Sequence, residues 1–241
     1  MVNELTLRPI AVLRSPYRQK FSIPRQPNLV PQVRGEIVFL PEFADDNCLR
    51  GLEAFSHLWL LFHFHETADA GWKATVAPPR LGGRTRVGVF ASRSMFRPNA
   101  LGLSVVENAG WRRDKGQLIL EVRGVDLLDG TPLLDIKPYL PWADAVPAAR
   151  GGWAEHAPPR LEVLFSDTAN RQLEEFRHRY PELGDFIRAV LQQDPRPAQD
   201  VRKEASGPFA MLLYDVNIHW RVDAGTCTVL ALEPWPGDLP P

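Results

Sequence analysis

Proline constrains this chain more than any other residue: 23 of its 241 residues are proline, spread from Pro9 to the last position. A proline inside a helix removes a backbone donor and clashes with the preceding turn, and it biases the residue before it away from the helical region. Long helices are therefore disfavoured over the first two thirds, where short strands joined by turns are expected instead. Leu7–Arg14 has the apolar content of a strand that Ser15–Pro16 ends, and Pro24–Pro31 reads as an extended loop. Arg34–Leu40 is the next strand, followed by a short acidic turn and helix over Phe43–Phe55. His57–His65 (HLWLLFHFH) is the clearest strand, aromatic-rich and bounded by polar residues. Gly88–Phe90 and Leu103–Glu107 flank an arginine-rich loop, Gln117–Gly124 alternates as a half-buried strand should, and Leu133–Ile136 follows the Asp129–Gly130 turn.

Composition changes near residue 145. Asp144–Arg160 is rich in Ala, Gly and Pro and reads as a linker or surface loop. Leu161–Phe165 is expected as a strand. Ser166–Gln193 then carries the long helical pattern, with Ser166 as N-cap and Pro181 and Gly184 dividing it into two helices. Phe209–Val222 and Thr226–Leu232 read as two strands around the Asp223–Gly225 turn. The expected architecture is mainly β: a body over residues 1–150 followed by a small α+β cap over 151–241.

The net charge is only −1, yet its distribution is uneven. No acid occurs from Ala70 to Val106, a stretch holding Lys73, Arg80, Arg84, Arg86, Arg93 and Arg97. A second acid-free stretch, Leu5–Gly35, holds Arg8, Arg14, Arg18, Lys20, Arg25 and Arg34. Nearly half of the 28 basic residues thus lack a compensating acid nearby in sequence, which points to a large anionic partner; a solvated basic face is the simpler account. Two cysteines, Cys48 and Cys227, are too few for a disulfide framework. With no apolar leader after Met1 and no apolar run long enough to span a bilayer, a soluble cytoplasmic protein is expected.

Three constellations can carry chemistry. His63 and His65, followed by Glu66, have a metal-ligand spacing if the strand continues, although core or hydrogen-bonded histidines are the better account of them. Asp135, Lys137 and Tyr139 alternate at period two, so an extended ribbon stiffened by Pro138 and Pro141 points an acid, an amine and a phenol to one side. That trio can orient a polar substrate or manage a proton, and it can equally be a salt-bridged edge strand. Finally, Asp194 and Arg196 stand in a Pro-flanked loop (QDPRP) just after the helical pattern, either as a helix stop or facing the ribbon's ligand.

Seven blocks taken together resemble the TrmO (TsaA, YaeB) family: RSPY at Arg14–Tyr17, PRQP at Pro24–Pro27, GLEAFSHLWLLFHFH at Gly51–His65, PPRLGG at Pro78–Gly83, VGVFASRSMFRPN at Val87–Asn99, DLLDGTPLLDIKPYLP at Asp126–Pro141 and QDPRP at Gln193–Pro197. The resemblance covers nearly the whole chain in order. It implies a single-sheeted β-barrel body, a homodimer, and a tRNA methyltransferase that uses S-adenosylmethionine without a metal. The implied substrate is threonylcarbamoyl-modified adenosine beside the anticodon, methylated on its exocyclic nitrogen. The cofactor contacts it implies are Arg25, Gln26, Pro27, His65, Glu66, Arg93, Leu103, Asp129, Gly130, Thr131 and Pro132. A positive sulfonium is expected near backbone carbonyls and Asp129, with Arg93 at the cofactor carboxylate. Asp135 or Asp194 would then align the acceptor nitrogen, with Lys137, Tyr139 and Arg196 holding the base or its carboxylate-bearing group. The family commonly continues RPN with Pro-Ile-Gly, where this chain has Ala100–Leu101–Gly102. The competing readings are a noncatalytic RNA-binding module and a metal-dependent β-barrel enzyme built on His63 and His65.

Overall fold

A computed structural model describes residues 5–237. The strands are β1 (Ala11–Arg14), β2 (Arg34–Phe39), β3 (His57–His63), β4 (Thr75–Val76), β5 (Val87–Gly88), β6 (Leu101–Asp114), β7 (Gln117–Arg123), β8 (Pro132–Pro138), β9 (Glu162–Phe165), β10 (Phe209–Leu213), β11 (Val216–Asp223) and β12 (Thr226–Pro234). The helices are α1 (His65–Ala68), α2 (Pro141–Asp144), α3 (Asp167–Phe176), α4 (Leu183–Leu191) and α5 (Ala198–Arg202). Six strands close on themselves in the order β1-β2-β7-β6-β3-β8. A separate four-stranded sheet runs β10-β11-β12-β9, and β4 pairs β5 in a small ribbon.

Period-two patterning dictates which faces are buried. Along β3, Leu58, Leu60 and Phe62 point inward while His57, Trp59, Leu61 and His63 face outward. Inside, they meet Leu13, Ile37, Val106, Leu118, Leu120 and Leu133. Phe62 opposes Gly102 on β6, and a Cβ on that glycine would lie 2.1 Å from the phenyl ring. Only glycine lets the strand lie against this ring.

The cap packs α3 and α4 on its sheet, with β9 parallel to β12. Ser166 caps α3 as expected: its Oγ accepts from Ala169 N at 3.1 Å. Gly184 does not break the helix; it lies within α4, where a Cβ would meet Leu173 of α3 at 2.8 Å. The expected strand Phe209–Val222 is two strands, because Tyr214 takes φ 54 and reverses the chain. The Phe43–Phe55 segment forms separate 3-10 turns. Tyr17 joins the two halves: fully buried, it bridges to Leu213 and packs edge-on to Phe186 at 5.7 Å.

Candidate active site

Four loops meet around one end of the barrel. Pro24–Pro27 is anchored behind by Asn28, whose backbone N donates to Gly124 O at 2.9 Å and whose Nδ2 donates to Val105 O at 3.1 Å. Gly124 has φ 71, and a Cβ there would lie 2.2 Å from Asn28 Oδ1, so the anchor requires glycine on both counts. Gln26 Oε1 accepts from Arg93 Nη1 at 2.5 Å, joining this loop to the arginine-rich loop. Arg25 interacts electrostatically with Arg80 and Asp194; desolvation lowers its pKa, with Asp194 opposing that shift. The cap's Pro-flanked loop therefore lies near the Pro24–Pro27 loop.

The Asp129–Pro132 turn closes the other side. Gly130 takes φ 76, and its N donates to Leu13 O at 2.9 Å while Leu13 N donates to Thr131 O at 2.9 Å. Asp129 Oδ1 accepts from Ser15 N at 2.7 Å and Oδ2 accepts from Arg18 Nη1. The carboxylate is thus already neutralised by an arginine, and its effect on a nearby cation is reduced accordingly. Leu103 stands on β6 with 54 % exposure, unusually open for a leucine in a barrel strand. His65 and Glu66 open α1, their side chains 3.6 Å apart. Phe64 N bonds Ala100 O at 2.8 Å, tying this corner to the end of the arginine loop.

Asp126 has no counterpart among the residues singled out in the sequence. Ser104 Oγ, itself buried, donates to Asp126 Oδ1 at 2.5 Å. Burial pushes the Asp126 carboxyl up to about 6, with the Ser104 hydrogen bond and the charge of Arg93 opposing the shift. Its signal in the sequence is a lone carboxylate among Val125, Leu127 and Leu128. A carboxyl raised by folding makes the ionised form costly in the native state. That penalty is present above about pH 6 and is relieved as pH falls through 6 toward the ordinary 3.8. Asp126→Asn is expected to raise stability at pH 7.5 by on the order of 2 kcal/mol, a gain that vanishes near pH 4. Calorimetric melting of both proteins from pH 4 to 8 checks this, and parallel curves rule it out.

The ribbon takes the expected arrangement. Asp135 pairs with Leu61 and Lys137 with Trp59, both on the outer barrel face, with Lys137 Nζ 3.9 Å from Asp135 Oδ2. Tyr139 N donates to His57 O at 2.9 Å, and its ring lies 5.9 Å from Trp59 and 6.4 Å from His57. Asp135 Oδ1 accepts from Ile136 N at 2.9 Å, which leaves room on its second oxygen. Asp194 and Arg196 are engaged elsewhere. Arg196 is 8 % exposed, donates to both Asp194 oxygens at 2.7 Å, and donates to Ala205 O at 3.0 Å.

The metal spacing does not survive folding. β3 ends at His63 and His65 starts a helix, so strand alternation does not relate the two. Among the described residues no group of three or more His, Cys, Asp or Glu is placed to hold a metal ion. The two acid-free stretches also differ in space. Arg8, Arg14 and Arg18 pair with Glu42, Glu36 and Asp129, contributed from distant parts of the chain. The six cations of the Ala70–Val106 stretch make no ion pair among the described residues; all but Arg84 bond carbonyls, hydroxyls or Gln26, or lie over rings. Gly82 O accepts from Arg202 of α5, and Arg80 donates to Ala154 and His156 carbonyls, so the cap and linker hold the root of this basic loop.

The family profile for the tRNA-methyltransferase O N-terminal domain matches residues 12–145, and that for the TrmO C-terminal domain matches 158–235. This chain belongs to the TrmO family. It is 49% identical over 226 residues to the tRNA (adenine(37)-N6)-methyltransferase of Escherichia coli (strain K12), covering 93% of this chain and 96% of that one. A putative S-adenosylmethionine-dependent methyltransferase of Pseudomonas aeruginosa is 45% identical, covering 89% of this chain and 91% of its own length. The crystal structure of TrmO from Pseudomonas aeruginosa superimposes with a TM-score of 0.77 at 38% identity, over 96% of this chain and 99% of that one. One departure from the usual TrmO pattern has a structural consequence. Ala100 takes φ 48, a value the proline ring forbids, so a proline at that position would require a different backbone path after Asn99.

Proposed function

We propose that this chain transfers a methyl group from S-adenosylmethionine to the exocyclic nitrogen of threonylcarbamoyl-modified adenosine next to the anticodon of tRNA. End-to-end similarity to a named tRNA (adenine(37)-N6)-methyltransferase, through both domains, carries this reading. Residues 1–150 would form the cofactor-binding domain and 151–241 the C-terminal domain, in a cytoplasmic homodimer. Among the described residues no helix is long and apolar enough to cross a membrane.

The residues around the barrel end fit the cofactor in kind. Arg93, held by Gln26, suits a carboxylate; exposed Leu103 suits the flat face of a base; the Asp129–Pro132 turn brings polar backbone to the same region. Arg25, Pro27, His65 and Glu66 complete the proposed set. When bound, the cofactor supplies an electrophilic methyl on a sulfonium, and no metal is needed. The protein's part is orientation and charge placement. Asp135 accepts the proton of the exocyclic nitrogen, Lys137 and Tyr139 steady the base or its carboxylate-bearing group, and the Asp194–Arg196 pair holds the cap's loop beside Arg25.

Incubation of the purified protein with methyl-labelled S-adenosylmethionine and tRNA carrying the threonylcarbamoyl group, followed by nucleoside mass spectrometry, tests the proposal. Label in that nucleoside is expected. tRNA binding without cofactor binding or label leaves a noncatalytic RNA-binding module in its place.

A further inference from the structure

The turn Val89–Ala91 is held from several sides, yet it presents a large aromatic ring to solvent. Val89 is buried and its N donates to Ala74 O at 3.0 Å. Arg97 Nη1 donates to Val89 O at 3.2 Å and to Ser92 O at 2.8 Å, and Trp153 Nε1 donates to Ala91 O at 3.0 Å. Between these fixings Phe90 is 77 % exposed, with the Arg97 guanidinium 5.7 Å from its ring centroid. Single exposed apolar residues are ordinary on protein surfaces. Here, however, the ring is fixed by its backbone, flanked by a cation, and set in the stretch whose six cations form no ion pair among the described residues. Three residues on, Arg93 reaches the Pro24–Pro27 loop, so the turn that carries the ring leads directly into the proposed cofactor site. Trp72, 57 % exposed, belongs to the same acid-free stretch.

A rigid aromatic face among unpaired cations suits one kind of partner: an unstacked nucleotide of single-stranded RNA, whose base lies on the ring while its phosphates meet the arginines. We propose that Phe90 is a stacking platform for a splayed nucleotide of the tRNA anticodon loop and thereby a residue that selects loop over duplex RNA; this rests on the methyltransferase reading above. Stacking carries no net charge, so its contribution is independent of salt, whereas each phosphate contact steepens the salt dependence.

The test measures tRNA affinity by fluorescence anisotropy over a salt series for wild type, Phe90→Leu, Phe90→Tyr and Arg84→Ala, with a fully paired RNA duplex as the second probe. Phe90→Leu is expected to weaken tRNA binding about tenfold at every salt concentration, leaving the slope of log affinity against log salt unchanged. Phe90→Tyr should restore binding, duplex affinity should not move, and Arg84→Ala should lower the slope by about one. Unchanged tRNA affinity in Phe90→Leu overturns the stacking role, as does an equal loss on duplex or a change of oligomeric state, which would make the ring a protein contact. Wild-type protein that binds no tRNA overturns this inference together with the reading beneath it, whereas wild-type binding indifferent to Phe90 overturns this inference alone.

Discussion

Asp135→Ala and Lys137→Ala are each expected to slow methyl transfer by about a hundredfold while leaving S-adenosylmethionine affinity within about twofold of wild type. The exocyclic nitrogen of an adenosine is a weak nucleophile because its lone pair is delocalised into the ring. An acceptor that takes its proton as the new bond forms supplies the missing electron density, a contribution that general bases make at about two to four orders of magnitude. Asp135 suits this proposed role: one oxygen is fixed by Ile136 N, the other points toward Lys137, and the side chain is about half exposed on the outer barrel face. Asp135→Asn keeps the shape without the basicity and should be nearly as slow. Single-turnover rates with saturating cofactor, set beside calorimetric cofactor affinities, separate the two quantities. Wild-type rates in the variants remove these residues from the site, and a parallel loss of cofactor binding reassigns them to holding the donor.

Arg196→Ala is expected to cost about 3 kcal/mol of stability, far more than an exposed ion pair contributes. The guanidinium is nearly enclosed, and its hydrogen bonds reach both Asp194 oxygens and Ala205 O. Removing it strands a partly buried carboxylate beside Cys227, whose thiol burial already pushes up to about 12 with the Asp194 charge adding to the shift. Because that loss is mostly the penalty of an unpaired charge, Asp194→Ala/Arg196→Ala should be more stable than Arg196→Ala alone. Urea unfolding of the wild type and the two variants checks the order. Near-wild-type stability in Arg196→Ala, together with lost methylation, would instead place the guanidinium on the substrate.

Much of the fold was legible because local rules and tertiary packing agreed. The alternation in β3, the N-cap at Ser166 and the period-two ribbon of Asp135, Lys137 and Tyr139 all rest on neighbours within a few residues. What escaped depends on geometry that periodicity does not encode. β6 runs to Asp114, well past Glu107, because a register shift between Asn108 and Trp111, with Gly110 at φ 96, lets pairing resume after the alternation lapses. Tyr214 turns the chain inside what reads as one apolar strand because an aromatic residue occupies a left-handed position that glycine or asparagine usually marks. The acid-free stretch Leu5–Gly35 looked uncompensated, but its partners Glu36, Glu42 and Asp129 lie outside it and arrive only on folding. Asp126 was hidden in an apolar run, where nothing in the linear order announces that Ser104 and Arg93 will face it.

The ring of strands is fastened unevenly. β3 and β6 are matched over seven residue pairs, whereas the β1–β8 ladder covers Ala11–Leu133 and Val12–Pro132 and is carried on by the Asp129–Pro132 turn, through Leu13 N to Thr131 O and Gly130 N to Leu13 O. That short hem is therefore closed in part by the turn that borders the proposed donor pocket. A molecule gripped there acts as a clasp on the hem, which makes occupancy of the pocket and integrity of the whole hoop two readings of one equilibrium.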